Sequence, residues 1–327
     1  MVKQEHTLPF RSALGGSGSR SALVFAAGAV ALWATNALVG KSLLASHSVS
    51  QVQFLQFIGA ALVFALIRVM SSDFRRRQAG APFIRRLLPQ GEKGEPSYFA
   101  SNVVPFAVGI IGLVGTMILQ YVAFASMPVI EANLVAYTWP LMVAAAIIVL
   151  DRPRRPALLG ITAALGFVGV ALVISGGREQ SWFQGNLAGY LAAFGSALCM
   201  AFYSIVVGRL ATSPDRLLLP SALVGVALTF LWCVHDGVAW DIGPYLLAGL
   251  YLGAGPMGLG YYFWSRALKL DQGGKVAVVA YLTPIASTLL LTLSGERLTM
   301  TAIAGAVLVI GSCIAVGIEG SEAENHA

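Results

Sequence analysis

The residues of this sequence that could act on a ligand are neutral aromatic and amide side chains within long apolar stretches. Thr116 and Gln120 stand four residues apart, as do Asn133 and Tyr137, so each pair shares one face of a helix. Such a surface suits a molecule with an apolar ring and a few hydrogen-bonding groups. The residues predicted to line a substrate pathway are Trp33, Asn36, Gln56, Thr116, Gln120, Tyr121, Asn133, Tyr137, Trp139, Tyr203, Tyr261, Trp264 and Tyr281.

Each of these side chains also has a structural explanation. Tyrosine and tryptophan often form belts at membrane interfaces, and polar side chains often only hold helices together. Trp139 lies about 200° around an ideal helix from Tyr137. The two therefore face one cavity only if the helix bends near Pro140 or projects far into that cavity. The pathway interpretation rests on the set as a whole.

The sequence shows no arrangement of catalytic residues. It contains no Walker A motif, and its Ser, His and Asp residues form no hydrolase pattern. The stretch GAGPMG at 253–258 matches a dinucleotide fingerprint, but it lies in an apolar helix without a preceding strand, so close helix packing explains it better. Cys199, Cys233 and Cys313 lack metal-site spacing. The sequence thus predicts no enzyme, cofactor, metal or nucleic-acid partner.

The elements that carry the pathway residues are predicted to be membrane-spanning helices of an all-α protein. Hydrophobic residues make up 57% of the 327-residue chain and charged residues 11%, and the mean hydropathy is +0.76. Soluble domains carry roughly 25% charge, so the expected partner of this surface is membrane lipid. A spanning helix needs about 20 apolar residues. The ten predicted spans, numbered 1 to 10, cover 21–45, 51–70, 98–124, 129–150, 156–175, 187–209, 217–235, 243–267, 276–293 and 300–318.

The distribution of basic residues predicts the direction of these spans. If the N-terminus is cytoplasmic, all of the 21 Lys and Arg residues except Lys41, Arg178 and Arg297 fall on the cytoplasmic side, many of them in the loop 71–97. Both termini are then cytoplasmic, with 1–20 as a disordered lead-in and 319–327 as a polar tail. A cleaved signal peptide is the alternative for the first span, but its length and the lack of a clear cleavage site favour retention.

The chain contains two similar halves. VAYTWP at 135–140 is matched by VAYLTP at 279–284, ALVGK at 37–41 by IVVGR at 205–209, and Asp151 by Glu296. The halves, 21–175 and 187–318, hold five spans each, and because five is odd the second half is inverted. Inverted repeats are typical of secondary transporters that alternate access to a midplane site, although some dual-topology channels share them. The matching Pro140 and Pro284 are predicted to be hinges of spans 4 and 9.

These features resemble the drug/metabolite transporter superfamily, in particular its EamA-type ten-helix members. The resemblance covers residues 21–318 and rests on ALWATN at 31–36, on the Tyr-x-x-Pro pattern of spans 4 and 9, and on the acidic residue that precedes the Gly-rich spans 5 and 10. NLVAYTWPL more narrowly resembles aromatic amino acid exporters of the YddG type, while Thr283 in place of Trp139 makes the second half differ. The resemblance implies a basket of ten helices with a central cavity, and export from the cytoplasm.

The expected function is therefore that of an inner-membrane exporter of aromatic amino acids or similar small amphipathic metabolites. The 15 acidic residues lie at span ends, in loops or in tails. Because a proton relay needs a titratable group at depth, this placement favours a facilitator over a carboxylate-relayed proton pump. Export of other amino acids or of drugs is left open, and so is a passive channel.

Overall fold

The described part of the protein is built from α-helices, two short π-helical segments and turns. The structure is a computed structural model and describes residues 15–78, 98–151, 155–175, 186–210, 212–240, 242–270, 276–293 and 299–325. No strand occurs within these ranges, in agreement with the predicted all-α class. In lipid a helix satisfies its backbone hydrogen bonds internally, so long apolar stretches fold this way.

The helices follow the predicted spans closely. Their bounds are α1 Gly15–Trp33, α2 Asn36–Leu44, α3 Val49–Gln78, α4 Tyr98–Gly109, α5 Thr116–Ser126, α6 Val129–Ala136, α7 Trp139–Leu150, α8 Pro156–Ser175, α9 Leu187–Arg209, α10 Pro214–His235, α11 Pro244–Leu252, α12 Gly260–Leu270, α13 Val276–Val279, α14 Leu282–Leu293 and α15 Met300–Asn325.

Among the described residues, seven helical stretches are long and apolar enough to cross a membrane. They are Arg20–Leu44, Val49–Ser71, Val103–Ser126, Val129–Leu150, Pro156–Ser175, Leu187–Arg209 and Arg216–His235. Val276–Leu290 and Met300–Ala315 are shorter apolar helices, and 244–270 is continuously helical. The chain is thus a multi-pass membrane protein, and the count of ten spans stays a prediction.

Three polar segments differ from the sequence-based expectation. α1 begins at Gly15, within the predicted lead-in, α3 continues to Gln78, within the predicted basic loop, and α15 continues to Asn325, within the predicted tail. Arginine in the extension of α3 and alanine and glutamate in that of α15 favour helix, so these two spanning helices extend beyond their apolar stretches. The Gly- and Ser-rich start of α1 is not explained by helix propensity. The rest of the lead-in and of the loop, together with Arg178, Glu296 and Arg297, lies outside the described residues.

Two pairs of matching spans are interrupted at matching places. Spans 3 and 8 contain the π-helical segments Ile110–Gly115 and Gly253–Leu259. Spans 4 and 9 break after Ala136 and after Val279, each a few residues before a proline. Proline has no N–H group and cannot bond the preceding turn, so each break lies just N-terminal to Pro140 or Pro284.

The most extensive helix contacts join a span of one sequence half to a span of the other. α3 packs on α10 and α8 packs on α15, so spans 2 and 5 contact their own counterparts, 7 and 10. α1 packs on α12 and α5 packs on α9, which joins span 1 to span 8 and span 3 to span 6. Gly169 and Gly305 let α8 and α15 approach closely, because a Cβ added at Gly305 would lie 2.5 Å from the Gly169 carbonyl oxygen.

Candidate functional site

A cavity of about 440 Å³, here called the main cavity, lies between helices of both halves. Lys41 and Ser175, near the C-terminal ends of α2 and α8, line it together with Val129 and Thr299, near the starts of α6 and α15. These helix ends therefore meet at one end of the bundle, which we call the cavity end.

Eight of the thirteen predicted pathway residues line the main cavity. They are Trp33, Asn36, Thr116, Gln120, Asn133, Tyr137, Trp139 and Tyr261. The predicted hinge residue Pro284 lines it as well, whereas Pro140 is buried outside the lining. The lining is neutral and partly aromatic over most of its surface.

The break in span 4 explains how Tyr137 and Trp139 reach the same cavity. An uninterrupted helix would turn them to different faces. α6 ends at Ala136 and α7 begins at Trp139, with the N–H of Thr138 donating to the Val135 carbonyl at 3.1 Å in a tighter turn. The local change of helix geometry brings both aromatic rings to the lining.

Gln56 and Tyr121 are placed behind the lining, where they position Asn36. The Gln56 amide donates to the Tyr121 hydroxyl at 2.7 Å, and that hydroxyl donates to the Asn36 side-chain oxygen at 3.2 Å. Gln56 and Tyr121 are fully buried, while Asn36 faces the cavity. The chain of hydrogen bonds joins spans 1, 2 and 3 and orients the Asn36 amide.

The inner wall of the main cavity is an aromatic cluster made of Trp33, Trp139, Tyr203, Tyr261 and Trp264. The Trp264 ring centroid lies 5.3 Å from that of Trp33 and 5.4 Å from that of Trp139, the latter in an edge-to-face arrangement. The Trp264 indole donates to the Ser204 hydroxyl at 3.1 Å. Trp264 and Tyr203 are fully buried and belong to the wall behind the lining.

Tyr281 also lies away from the cavity, although it matches Tyr137 in the sequence repeat. It is fully buried, and its ring closely approaches Gly166, where an added Cβ would come 2.6 Å from the Tyr281 Cδ2 atom. A role in packing spans 5 and 9 follows from this position.

Several lining residues had escaped the sequence prediction. Thr283 and Ser287 line the cavity from span 9, Ser196 and Met200 from span 6, and Lys41 from span 1. Thr283 occupies the position that Trp139 has in the first half, so the sequence repeat could have identified Thr283 as a lining residue. Small hydroxyl residues and methionine are common in membrane helices, so their types alone do not mark a site.

Polar groups in the lining have unused hydrogen-bonding capacity. The Tyr261 hydroxyl faces the Thr116 side chain, and the Tyr137 hydroxyl faces Thr283. The Thr116, Tyr261 and Thr283 oxygens are buried without a well-aligned hydrogen bond to any described residue. Burying such groups without partners is unfavourable, so these oxygens are the least well satisfied polar groups of the lining.

A second cavity of about 360 Å³, called the small recess, lies at the other end of the bundle. Val143 and Ser204 line it one helical turn beyond Trp139 and Met200, which line the main cavity. Residues four apart share one helix face. The two spaces therefore lie along one path, separated by a barrier of about one turn, or roughly 5.4 Å. Trp264 stands within this barrier.

An ion pair closes the bundle beside the small recess. The Arg209 guanidinium, at the end of α9, donates from Nη2 to both Asp151 oxygens at 2.8 and 2.6 Å, and from Nη1 to the Ile205 carbonyl at 2.7 Å. Asp151 caps the C-terminus of α7. The pair thus ties spans 4 and 6 together at this end.

One carboxylate is buried near the main cavity without lining it. Glu131, in the first turn of α6, is 3% exposed and accepts a hydrogen bond from the Tyr190 hydroxyl. Within the described residues no cluster of His, Cys, Asp or Glu could hold a metal ion. The chemistry that this arrangement can perform is recognition and passage of a small molecule.

Comparisons with known proteins agree with that chemistry. Residues 20–175 and 187–318 match the model of the EamA-like transporter family. The aromatic amino acid exporter YddG of Ancylobacter novellus is 32% identical over 212 residues, or 63% of this chain and 74% of that protein. The uncharacterized transporter YyaM of Bacillus subtilis is 26% identical over 65% of this chain and 73% of its own length. A solved crystal structure at 25% identity has a TM-score of 0.74 and covers 91% of this chain and 98% of its own.

Proposed function

Since the chain belongs to the EamA-like transporter family and is a small-molecule exporter of the inner membrane, we propose that it exports aromatic amino acids or similar small amphipathic metabolites. The observation that carries this proposal is the aromatic and neutral polar lining of the main cavity. Its volume of about 440 Å³ falls within the range of about 300–1,000 Å³ that small-molecule sites occupy. The relative whose name specifies aromatic amino acids supports the same substrate class.

The transport mechanism in this proposal is alternating access by two inverted halves. The matching π-helical segments, the matching breaks before Pro140 and Pro284, and the reciprocal packing of spans support the two-repeat arrangement. With both termini in the cytoplasm, the main cavity opens to the outside and the small recess faces the cytoplasm. In this proposal the conformation with the open main cavity is the outward-facing one.

Export requires the opposite state, in which the barrier opens toward the cytoplasm. Trp264 must leave its contacts with Trp33 and Trp139, and the Asp151–Arg209 pair must separate, before a cytoplasmic substrate can reach the lining. The breaks of spans 4 and 9 are where the chain can bend, because the backbone there lacks regular helical hydrogen bonds.

Transport in this proposal is facilitative, driven by the substrate's own gradient. No Asp or Glu belongs to the lining of the main cavity within the described residues, and a proton relay would need such a group along the path. Glu131 lies behind the lining with Tyr190 as its partner.

Uptake into proteoliposomes tests the proposal. The purified protein should take up phenylalanine, tyrosine and tryptophan faster than alanine, lysine or glutamate, and an imposed pH gradient alone should not concentrate them. Preference for small aliphatic amino acids or for cationic drugs would favour those alternatives and contradict the aromatic assignment. Accumulation against the substrate's gradient would show that transport is coupled to protons.

A further inference from the structure

The main cavity has one charged residue in the part of its lining that the structure describes, Lys41. Its side chain makes no ion pair or hydrogen bond with another described residue. In the sequence repeat Lys41 corresponds to Arg209, which is paired with Asp151 at the opposite end of the bundle. Of the two matching cations, one is therefore engaged by a carboxylate of the protein and the other faces the cavity.

The position of Lys41 is also unusual among the basic residues. With the predicted orientation it is one of three Lys or Arg residues on the outer side, against the general bias toward the cytoplasm. Lysine near the end of a membrane helix usually extends to the lipid interface, whereas Lys41 belongs to the lining of the main cavity. This placement is what a ligand-binding role would require.

The geometry of span 1 sets Lys41 above the aromatic wall. Ala37 and Lys41 are four residues apart in α2 and both line the cavity, so this face of the helix points inward. Eight residues separate Lys41 from Trp33, a rise of at most about 12 Å. Helical side chains lean toward the N-terminus, so the Lys41 side chain is able to reach toward Trp33. One small molecule can therefore contact the aromatic wall and this ammonium together.

We propose that Lys41 binds the carboxylate of the transported molecule, so that the cavity selects aromatic compounds bearing a carboxylate over otherwise identical amides and amines. This inference rests on the proposed function. A carboxylate at Lys41 leaves the ligand's ammonium group near neutral acceptors such as the side-chain oxygens of Gln120 and Asn133, away from the like charge. The rings of Trp33 and Tyr261 then contact the aromatic side chain.

The test compares two probes of nearly equal size, L-phenylalanine and L-phenylalaninamide, by ligand-observed NMR titration of the purified protein. The wild type should bind the amino acid about tenfold more tightly than the amide, since a hydrogen bond to a charged group is stronger than one to a neutral group. Lys41→Gln should lose about tenfold for phenylalanine and little for the amide, which brings the ratio of dissociation constants close to one. Lys41→Arg should keep most of the preference.

Controls separate a binding role from general effects of charge or folding. Arg68→Gln removes an equal charge from an exposed position outside the lining, so it should leave the ratio unchanged. Because Lys41 is exposed, thermal unfolding of Lys41→Gln should match that of the wild type. Equal weakening of both probes by Lys41→Gln, or an unchanged ratio, would overturn the assignment of Lys41.

The outcome also distinguishes the two proposals. If the wild type binds phenylalanine but Lys41→Gln leaves its preference intact, the carboxylate assignment fails and the proposed function stands. If the wild type binds neither aromatic probe, the proposed function fails and the assignment fails with it.

Discussion

The ion pair between Arg209 and Asp151 should bias the protein toward its outward-facing state. In the structure Nη2 of the guanidinium donates to both carboxylate oxygens of Asp151, and Nη1 is anchored to its own helix through the Ile205 carbonyl. In the proposed mechanism, opening of the small recess to the cytoplasm separates spans 4 and 6 and breaks these contacts. Arg209→Gln removes the charge and the fork-shaped donor, and should therefore increase the population of the inward-facing state.

The size of the expected population shift follows from the solvent exposure of the Arg209–Asp151 pair. The side chains of Arg209 and Asp151 are 43% and 50% exposed, so water screens much of their attraction. Exposed pairs contribute about 0.2–1 kcal/mol. The contact of Arg209 Nη2 with both Asp151 oxygens, together with the anchoring of Nη1 on the Ile205 carbonyl, places this pair near the upper limit. A change of about 1 kcal/mol alters a two-state population by a factor of about five. The expected effect is thus modest and measurable.

Accessibility of a cysteine in the main cavity reports this shift. Met200→Cys, in a background in which the three native cysteines are replaced, places a thiol that a reagent on the cytoplasmic side reaches only when the barrier opens. Its labelling rate in inside-out vesicles should rise about fivefold with Arg209→Gln. The double charge exchange, Asp151→Arg with Arg209→Asp, should restore the slow rate.

Arg216→Gln provides a matched control, because Arg216 is a basic residue at the same end of the bundle outside the pair. It should leave the labelling rate unchanged. The reasoning is refuted if Arg209→Gln leaves the rate at the wild-type value, or if the charge exchange behaves like the single variant.

Three further predictions concern the barrier, the lining and the breaks. Trp264→Ala should remove the indole between the main cavity and the small recess, so that uptake no longer saturates with substrate. The same change should lower the free energy of unfolding by about 3–5 kcal/mol. Saturable uptake by folded Trp264→Ala would refute the role of Trp264 as a barrier. Tyr137→Ala, and likewise Gln120→Ala, should reduce transport at an unchanged thermal unfolding temperature, and parallel loss of transport and folded protein would instead indicate a structural role. Pro140→Ala and Pro284→Ala should shift cysteine accessibility at the two cavity mouths in opposite directions, and shifts in the same direction would identify the prolines as packing residues.

The positions of the helices were predictable because apolar length alone determines where a chain can cross lipid. Each of the ten predicted stretches contains helix in the described residues, and the ends of 129–150 and 156–175 agree with the structure. The extensions of α3 and α15 were not predicted, since helix propensity in polar segments has no periodic or hydropathic signature. The helical start of α1 was not predicted because its Gly- and Ser-rich sequence has low helix propensity.

The distribution of aromatic residues between the lining and the wall was much harder to predict. Tyr137 and Trp139 face one cavity because of the break after Ala136, and a rotation of this kind depends on hydrogen bonds that residue types do not reveal. Tyr281 repeats the sequence position of Tyr137 and yet packs against Gly166. A repeat in sequence therefore predicts equivalent helices, but it does not predict that the same positions of both halves line the cavity.

Lys41 shows how a weak sequence signal becomes informative in the structure. The sequence already shows that Lys41 departs from the cytoplasmic bias of the basic residues. A single basic residue at the end of a span, however, usually extends its charge to the lipid interface. The structure shows that Lys41 lines the main cavity together with Asn36 and with residues of other spans.

Counterflow in proteoliposomes tests the central claim of an alternating-access carrier most directly. Vesicles containing the purified protein are loaded with unlabelled phenylalanine and diluted into a trace of labelled phenylalanine. The proposed mechanism predicts a transient accumulation of label above its external concentration that saturates with the internal substrate and is absent from protein-free vesicles. Label that only equilibrates, at a rate that does not saturate, would show a passive channel and contradict the account.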